Sequence, residues 1–337
     1  MNLLLFLSDR CNMACGYCFL SLNEHPTTIL TEASAVSAVS AHAARFGFRA
    51  RVTILGGEPL LHPELIRTIV RRTHRSGAKF TLVTNGTKMA PNDIEGLLDL
   101  GIEVVVSVDG GAPSHDLQRR FLGGGHTHDV IAASLSRLDV KRLRANLVVS
   151  EATVPAFLTN IEALRELGFR RVSFHADVLN SWSEDGLRIL EGALSGFVRY
   201  VRIVGKSQSG LSFAHLDSYR RLRSGLPGDE EIILGADGRY YLSDAWLSLP
   251  YGRGLDGAVG DAVSGPDWAR RRALLAAADA EVARVLGPEP YYTWPREAWL
   301  LARISGRDPE AAVKAFHRAD SLIGRALGGL VRETTLG

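Results

Sequence analysis

Residues 2–18 read NLLLFLSDRCNMACGYC: an apolar run to Leu7, a short polar step, then Cys11, Cys15 and Cys18. The apolar run is far shorter than the roughly 20 residues that span a bilayer. It has no basic region before it and no small-residue cleavage site after it, so it reads as a buried strand and not as a signal peptide. These are the only cysteines among 337 residues. An odd, tightly spaced trio is no disulfide framework. In a reducing compartment it reads as a metal or cluster site, which places the protein in the cytoplasm. Three thiolates from one loop hold three irons of a cubane and leave the fourth iron open to a small molecule. With His25 the same trio makes a Cys3His zinc set, the alternative reading.

Outward from this loop, apolar runs alternate with amphipathic stretches. Strands are expected at Asn2–Leu7, Ala50–Leu55, Lys79–Thr84, Glu103–Val108, Ala145–Ser150 and Arg171–His175. Helices are expected at Thr31–Phe46, Pro63–Ser76, Pro91–Leu100, Thr127–Leu138 and Val154–Leu167, where apolar residues recur every three to four positions. Thr31, Pro63 and Pro91 sit at helix starts, and Gly77, Gly101 and Gly168 follow last turns. Six strands alternating with helices predict parallel βα units of one hand. That is an α/β fold, a partial (β/α)6 TIM-type barrel open on one side, with its chemistry at the C-terminal ends of the strands. The unusual residues fall there: the cysteines after the first strand, Gly56-Gly57-Glu58-Pro59 after the second, and Asn85-Gly86 after the third. Ser107-Val108-Asp109-Gly110 ends the fourth strand and His175 the sixth.

After residue 205 the rhythm changes. Ile232–Leu234 and Arg239–Leu242 flank Asp237-Gly238 as a β-hairpin would. Residues 246–266 are Gly/Pro-rich and expected to be irregular, and helices are expected at Asp267–Leu286 and Pro309–Leu327. The chain divides into a barrel at 1–205 and a small α+β appendage at 206–337. A composition of 46% hydrophobic and 23% charged residues is that of an ordinary soluble protein. A net charge of +2 gives no reason to expect nucleic acid or a membrane as partner.

The spacing Cys11-x-x-x-Cys15-x-x-Cys18, followed by GGEP, resembles the radical S-adenosylmethionine (SAM) superfamily. The resemblance covers about residues 1–180. It implies one 4Fe–4S cluster on the three cysteines, with SAM chelating the open iron. The 5′-deoxyadenosyl radical released from SAM then abstracts a substrate hydrogen. It further implies Tyr17 beside the adenine, and Gly56, Gly57, Glu58 and Pro59 at the methionine amino group. Ser107, Asp109 and His115-Asp116-x-x-Arg119 resemble the peptide-modifying and sulfatase-maturase branch, in which the Ser and Arg equivalents contact SAM. Asn85 becomes a SAM-side residue, and Asn146 or Ser150 reaches the ribose. For single residues plainer readings stand beside these: Glu58 as a surface-loop carboxylate, Arg119 as a solvated cation, His175 as a satisfied rim histidine instead of a substrate contact. Gly123-Gly124-Gly125 reads as a flexible linker and not as a phosphate loop.

In that branch a cysteine-rich SPASM domain with auxiliary clusters follows the barrel. Residues 235–246, GADGRYYLSDAW, resemble its opening hairpin, with Ser243 where the first cysteine would lie. Tyr251-Gly252 through Asp267-Trp268 continues the likeness loosely. Ser and Trp hold no iron–sulfur cluster, and the chain has no cysteine after Cys18. The implication is a degenerate SPASM-like region without an auxiliary cluster. The electron must then return to the sole cluster, the reaction must be redox-neutral, or a tyrosine must donate a hydrogen. Tyr240, Tyr241, Tyr251, Tyr291 and Tyr292 are the candidates. The resemblance implies a ribosomally made peptide as substrate, with a small molecule such as a sugar or aminocyclitol as the alternative. A scaffold that keeps the fold without catalysis is a third reading. Partners expected are a one-electron donor of flavodoxin or ferredoxin type and a separate leader-peptide recognition protein, because Met1 stands almost on the first strand. Residues 287–294 are expected to form a lid or a packed connector.

Overall fold

The computed structural model describes residues 1–18, 20, 28–178, 182–209, 212–213, 231–243, 246–247, 257–287 and 293–334. Six βα units occur, their strands and five of their helices where periodicity puts them; the long helix after the sixth strand was not among those expected. They begin with β1 (Asn2–Phe6), α1 (Glu32–Phe46), β2 (Arg51–Leu55), α2 (Pro63–Thr73), β3 (Lys79–Thr84) and α3 (Pro91–Asp99). β4 (Glu103–Ser107) is followed by two short helices, α4 (Ala112–Gln118) and α5 (His128–Leu135). Then come β5 (Arg144–Val149), α6 (Phe157–Glu166), β6 (Arg171–Ala176) and the long α7 (Glu184–Ser209). Helix starts follow local chemistry. The Thr31 hydroxyl accepts from Ser34 N–H at 3.1 Å, and Pro63 and Pro91 occupy first turns, where no N–H is needed. The α4 helix was not legible in advance, being a single short helix with Pro113 in its first turn.

β1 to β6 are parallel, each in register with the next, and β7 (Ser212–Phe213) pairs parallel with β6. The pleat sorts side chains by face. Leu3 and Leu5 join the main core beneath the helices, while Leu4 and Phe6 belong to a second cluster on the other face. Near β6, Phe157, Phe174 and Phe197 meet edge to face with centroids 5.1–5.7 Å apart, locking α6 and α7 onto the sheet.

The C-terminal third joins the same sheet. β8 (Glu231–Leu234) runs parallel to β1, pairing Asn2 with Glu231 through Leu5 with Leu234, and β9 (Arg239–Tyr241) turns back antiparallel to it. The expected hairpin is therefore present. The expected irregular stretch is corrected in part: Ala258–Asp261 forms β10 and Gly265–Pro266 forms β11, both antiparallel. Glycine does not bar these strands, because Gly260 packs directly on the Gly265 backbone, where a Cβ would lie 2.2 Å from its carbonyl. The full order is β11-β10-β9-β8-β1-β2-β3-β4-β5-β6-β7. Three helices follow: α8 (Trp268–Leu286), α9 (Thr293–Ile304) and α10 (Pro309–Thr334). Val313, Phe316, Ala319, Ile323, Leu327 and Leu330 form the buried stripe of α10, which packs on α7 and β6. Thr293 and Trp294, the end of the expected lid, begin α9; residues 288–292 lie outside the described residues. Among the described residues no helix is long and apolar enough to cross a membrane.

Candidate functional site

The cysteine loop is fastened on two sides. Toward β2, Gly57 N–H donates to Ser8 O at 2.7 Å and Glu58 N–H to Arg10 O at 2.9 Å. The approach is so close that a Cβ on Gly57 would lie 2.3 Å from Arg10 O, and one on Gly56 2.6 Å from Ser8 O. On the other side Ala14 N–H donates to Arg120 O and Gly16 N–H to Gln118 O, each at 2.8 Å. The glycine pair of GGEP thus has a packing reason of its own: it lets two loops touch backbone to backbone.

Between these loops and the ends of β3 to β6 lies a cavity of about 410 Å³, lined by all three cysteines together with Tyr17, Gly56, Gly57, Glu58, Asn85, Ser107, Arg119, Asn146 and His175. Pro59 and Asp109 stand behind the wall. Each sulfur has an N–H nearby. Cys11 Sγ accepts from Met13 N at 3.4 Å and Asn85 Nδ2 at 3.8 Å. The Arg119 side chain works to lower the pKa of the Cys15 thiol, and the Leu20 backbone that of Cys18. Burial pushes the Cys11 thiol up to about 12 and Cys18 to about 11, and raises Cys15. Such thiols become good ligands when a bound cation's charge deprotonates them. Among the described residues no three Cys, His, Asp or Glu side chains converge on one point as a single ion requires. A cubane, taking each thiolate on a different iron, does not ask for that convergence. His25 of the zinc reading lies outside the described residues.

Glu58 is not a surface carboxylate: it is 1% exposed. Its Oε1 accepts from Thr84 Oγ1 at 2.7 Å and Leu60 N at 2.9 Å, and its Oε2 from Asn85 N at 2.7 Å. Burial raises its pKa against these three bonds, which lower it. Glu58 therefore ties the GGEP turn to the end of β3. Arg119 is not solvated either. Its Nε and Nη2 bond the fully buried Asp109 at 2.9 and 3.2 Å. Its guanidinium lies 5.1 Å from the Tyr17 ring centroid, and the Tyr17 hydroxyl also donates to Asp109. Burial alone would lower the Arg119 pKa, but Asp109, Tyr17 and Cys15 outweigh it and hold the charge. Asp109 is thus the base on which Arg119 and Tyr17 are mounted.

His115 supports the same mount. Its Nδ1 accepts from Asp109 N–H at 3.2 Å, so Nε2 carries the proton and donates to Thr127 Oγ1 at 3.0 Å. Thr127 in turn donates to Arg119 O at 2.7 Å. Burial pushes His115 down to about 4, so it is neutral. Asp116 accepts from Thr127 N and His128 N and so anchors the start of α5.

On the far wall His175 Nδ1 donates to Ala176 O at 3.2 Å, leaving Nε2 to accept from Asn146 Nδ2 at 3.4 Å. Burial lowers its pKa. Asn146 lines the cavity; Ser150 does not, its hydroxyl being held by Gln118 at 3.1 Å. Tyr240 and Tyr241 stay outside the cavity: Tyr240 belongs to the main core, and the Tyr241 hydroxyl donates to Asp237 at 2.7 Å. Neither reaches the reacting space, since both alternate faces of β9 are packed. Tyr251, Tyr291 and Tyr292 lie outside the described residues. The run Gly123-Gly124-Gly125 is a tight turn closed by Gly124 N to Phe121 O and Phe121 N to Gly125 O, not a linker. Ten lining residues were not singled out by the sequence reading, Met13, Asp177 and Leu301 among them. Asn12 is a supporting residue that also escaped it, although it sits inside the cysteine motif. Of the lining residues Asp177 carried a signal, two positions after His175 at a strand end. Met13 and Leu301 carried none, being apolar like the core around them.

A family model described as the radical SAM superfamily matches residues 5–191. A PqqA peptide cyclase of Ruegeria pomeroyi is 26% identical over 208 residues, covering 61% of this chain and 54% of that protein. A probable GTP 3′,8-cyclase of Methanopyrus kandleri is 30% identical over 192 residues, covering 54% and 60%. The chain spans about half the length of the curated relatives it matches. Among solved structures, native anSMEcpe with bound AdoMet superposes with a TM-score of 0.74 at 16% identity, covering 98% of this chain and 99% of that one. Streptococcus suis SuiB bound to precursor peptide SuiA gives 0.55 at 16% identity, covering 74% and 60%. At such identities the structures establish the fold.

Proposed function

The chain belongs to the radical SAM superfamily, and on that premise we propose that it cleaves SAM reductively at a single 4Fe–4S cluster held by Cys11, Cys15 and Cys18. The observation that carries the reading is the fastened cysteine loop, its three sulfurs facing one cavity with Gly56, Gly57 and Arg119. When bound, cluster and SAM supply a 5′-deoxyadenosyl radical that abstracts a substrate hydrogen. The chain's residues position and shield. Gly56 and Gly57 offer backbone to the methionine end, and Tyr17 packs by the adenine. Arg119, fixed by Asp109, supplies a permanent positive charge. Ser107, Asn146 and His175 face the nucleoside and substrate side.

The substrate proposed is a ribosomally made peptide, supported by relatives named PqqA peptide cyclase and by the likeness to SuiB bound to a precursor peptide. Relatives named GTP 3′,8-cyclase and S-adenosylmethionine-dependent nucleotide dehydratase favour a small molecule as the second reading. A flavodoxin- or ferredoxin-type donor delivers the electron, a separate protein presents the leader peptide, and the cytoplasm keeps the thiols reduced. Residues 206–337 act as a SPASM-like region without an auxiliary cluster. Anaerobic reconstitution followed by dithionite and SAM tests the core claim. Four irons per chain and formation of 5′-deoxyadenosine are expected, both lost in Cys15→Ala. Deuterium transfer from a labelled precursor peptide into 5′-deoxyadenosine, and not from a nucleotide or sugar, separates the two substrate readings.

A further inference from the structure

Asn85 follows the last residue of β3, its amide turned toward the cysteine loop. Its Oδ1 accepts twice from Thr87, from the backbone N–H at 3.0 Å and the hydroxyl at 2.7 Å. That double acceptance fixes which end of the amide is which. One Nδ2 hydrogen goes to Asn12 Oδ1 at 2.9 Å, and Asn12 Nδ2 donates to Thr87 Oγ1 at 2.8 Å, closing a ring of three side chains. The other lies toward Cys11 Sγ at 3.8 Å. The backbone is held too, by Asn85 N–H to Glu58 at 2.7 Å.

We propose that Asn85 tunes the redox potential of the cluster by holding an N–H against the Cys11 thiolate, with Asn12 and Thr87 as its positioning residues. The proposal rests on the four-iron reading above. A one-electron reduction by the external donor adds one negative charge to the cluster, shared with its sulfurs; no atom is transferred. A donor aimed at a sulfur stabilises that added charge, so the reduced form gains and the midpoint rises. The ring keeps the amide from turning to water, so the stabilisation needs no reorganisation at the moment of electron transfer. The second donor to Cys11 is the Met13 backbone, which side-chain substitutions leave in place.

The test is a potentiometric titration of the anaerobically reconstituted chain, followed by EPR, without SAM. In Asn85→Ala with full iron content, the reduced-to-oxidised ratio at a fixed potential should fall about tenfold, a shift of about 59 mV for one electron. Thr87→Val, which opens the ring, should give a smaller fall, and Thr87→Ser, which keeps the hydroxyl, none. An unchanged midpoint in Asn85→Ala overturns the proposal. A shift seen only with SAM present also overturns it, by making Asn85 a SAM ligand instead. Should Asn85→Ala fail to hold iron, the Thr87 pair decides: a lower midpoint in Thr87→Val alone supports the proposal, and equal midpoints overturn it. A wild-type chain that takes up no four-iron cluster brings down the cluster reading, and this proposal with it.

Discussion

At the scale of single residues, the charge of Arg119 is paired with Asp109, a group that does not itself line the cavity. Asp109 is 0% and Arg119 6% exposed. Removing one member of a buried pair leaves the other charge uncompensated, a cost of about 3–5 kcal/mol. Asp109→Ala should lower stability by that order in urea unfolding, and Tyr17 and Arg119 should lose their seating together. His115 offers a pH test. Its folded pKa is depressed to about 4 from the ordinary 6.5. Its contribution to stability is therefore complete above pH 6.5 and is lost as pH falls toward 4. The gap corresponds to about 3 kcal/mol at most. His42, His62 and His175 shift in the same direction, so the wild-type slope has several sources. His115→Asn, which keeps an acceptor for Asp109 N–H, should remove one share of it. Identical urea midpoints against pH in variant and wild type would refute that assignment.

At the scale of elements, loop contacts and helix interiors respond differently to the same substitution. Gly57→Ala puts a methyl against the Arg10 carbonyl, so it should push the cysteine loop away and reduce iron uptake severalfold in reconstitution. Gly96, exposed within α3, has nothing within 4 Å of its would-be Cβ. Gly96→Ala should instead stabilise by about 0.5–1 kcal/mol, since glycine is a poor helix former. The contrast explains what the sequence could disclose. Strands β1 to β6 and helices α1 to α3 and α6 were legible because apolar periodicity and terminal Pro, Thr and Gly agree. The cysteines and the glycine pair were legible as motifs, and they fall on one rim because parallel strands all end there. What Glu58, Asp109 and Arg119 bond to was not legible, because partners 10 to 92 positions apart are chosen by packing. The position of Tyr240 and Tyr241 was not legible either, since a tyrosine in a hairpin serves core and cavity equally well. Strands β10 and β11 were missed because glycine-rich backbone carries no apolar alternation to betray them.

At the scale of the molecule, the sequence divides more readily than the sheet does. A break in rhythm near residue 205 suggests a detachable appendage, yet β8 extends the barrel sheet at β1, the strand that leads into the cysteine loop. α10 lays its apolar stripe on α7 and β6, at the other side of the same sheet. The C-terminal third is thus in contact with both flanks of the barrel. With only three cysteines in the chain, it has no cysteine to spare for iron. Its contribution is to cover: Leu301 of α9 reaches the cavity wall, next to Val178 and Asp177. A chain ending at residue 230 would therefore lose more than a lid. The β1 edge would present unpaired N–H and C=O groups beside the apolar Leu4 and Phe6, the arrangement that recruits strands from other molecules. The apolar faces of α7 would also open to water. The truncated chain should aggregate, or stay soluble without the sigmoidal unfolding of the full chain, as size-exclusion chromatography and urea titration would record. A soluble, cooperatively unfolding 1–230 fragment that takes up four irons would show instead that the barrel is self-sufficient.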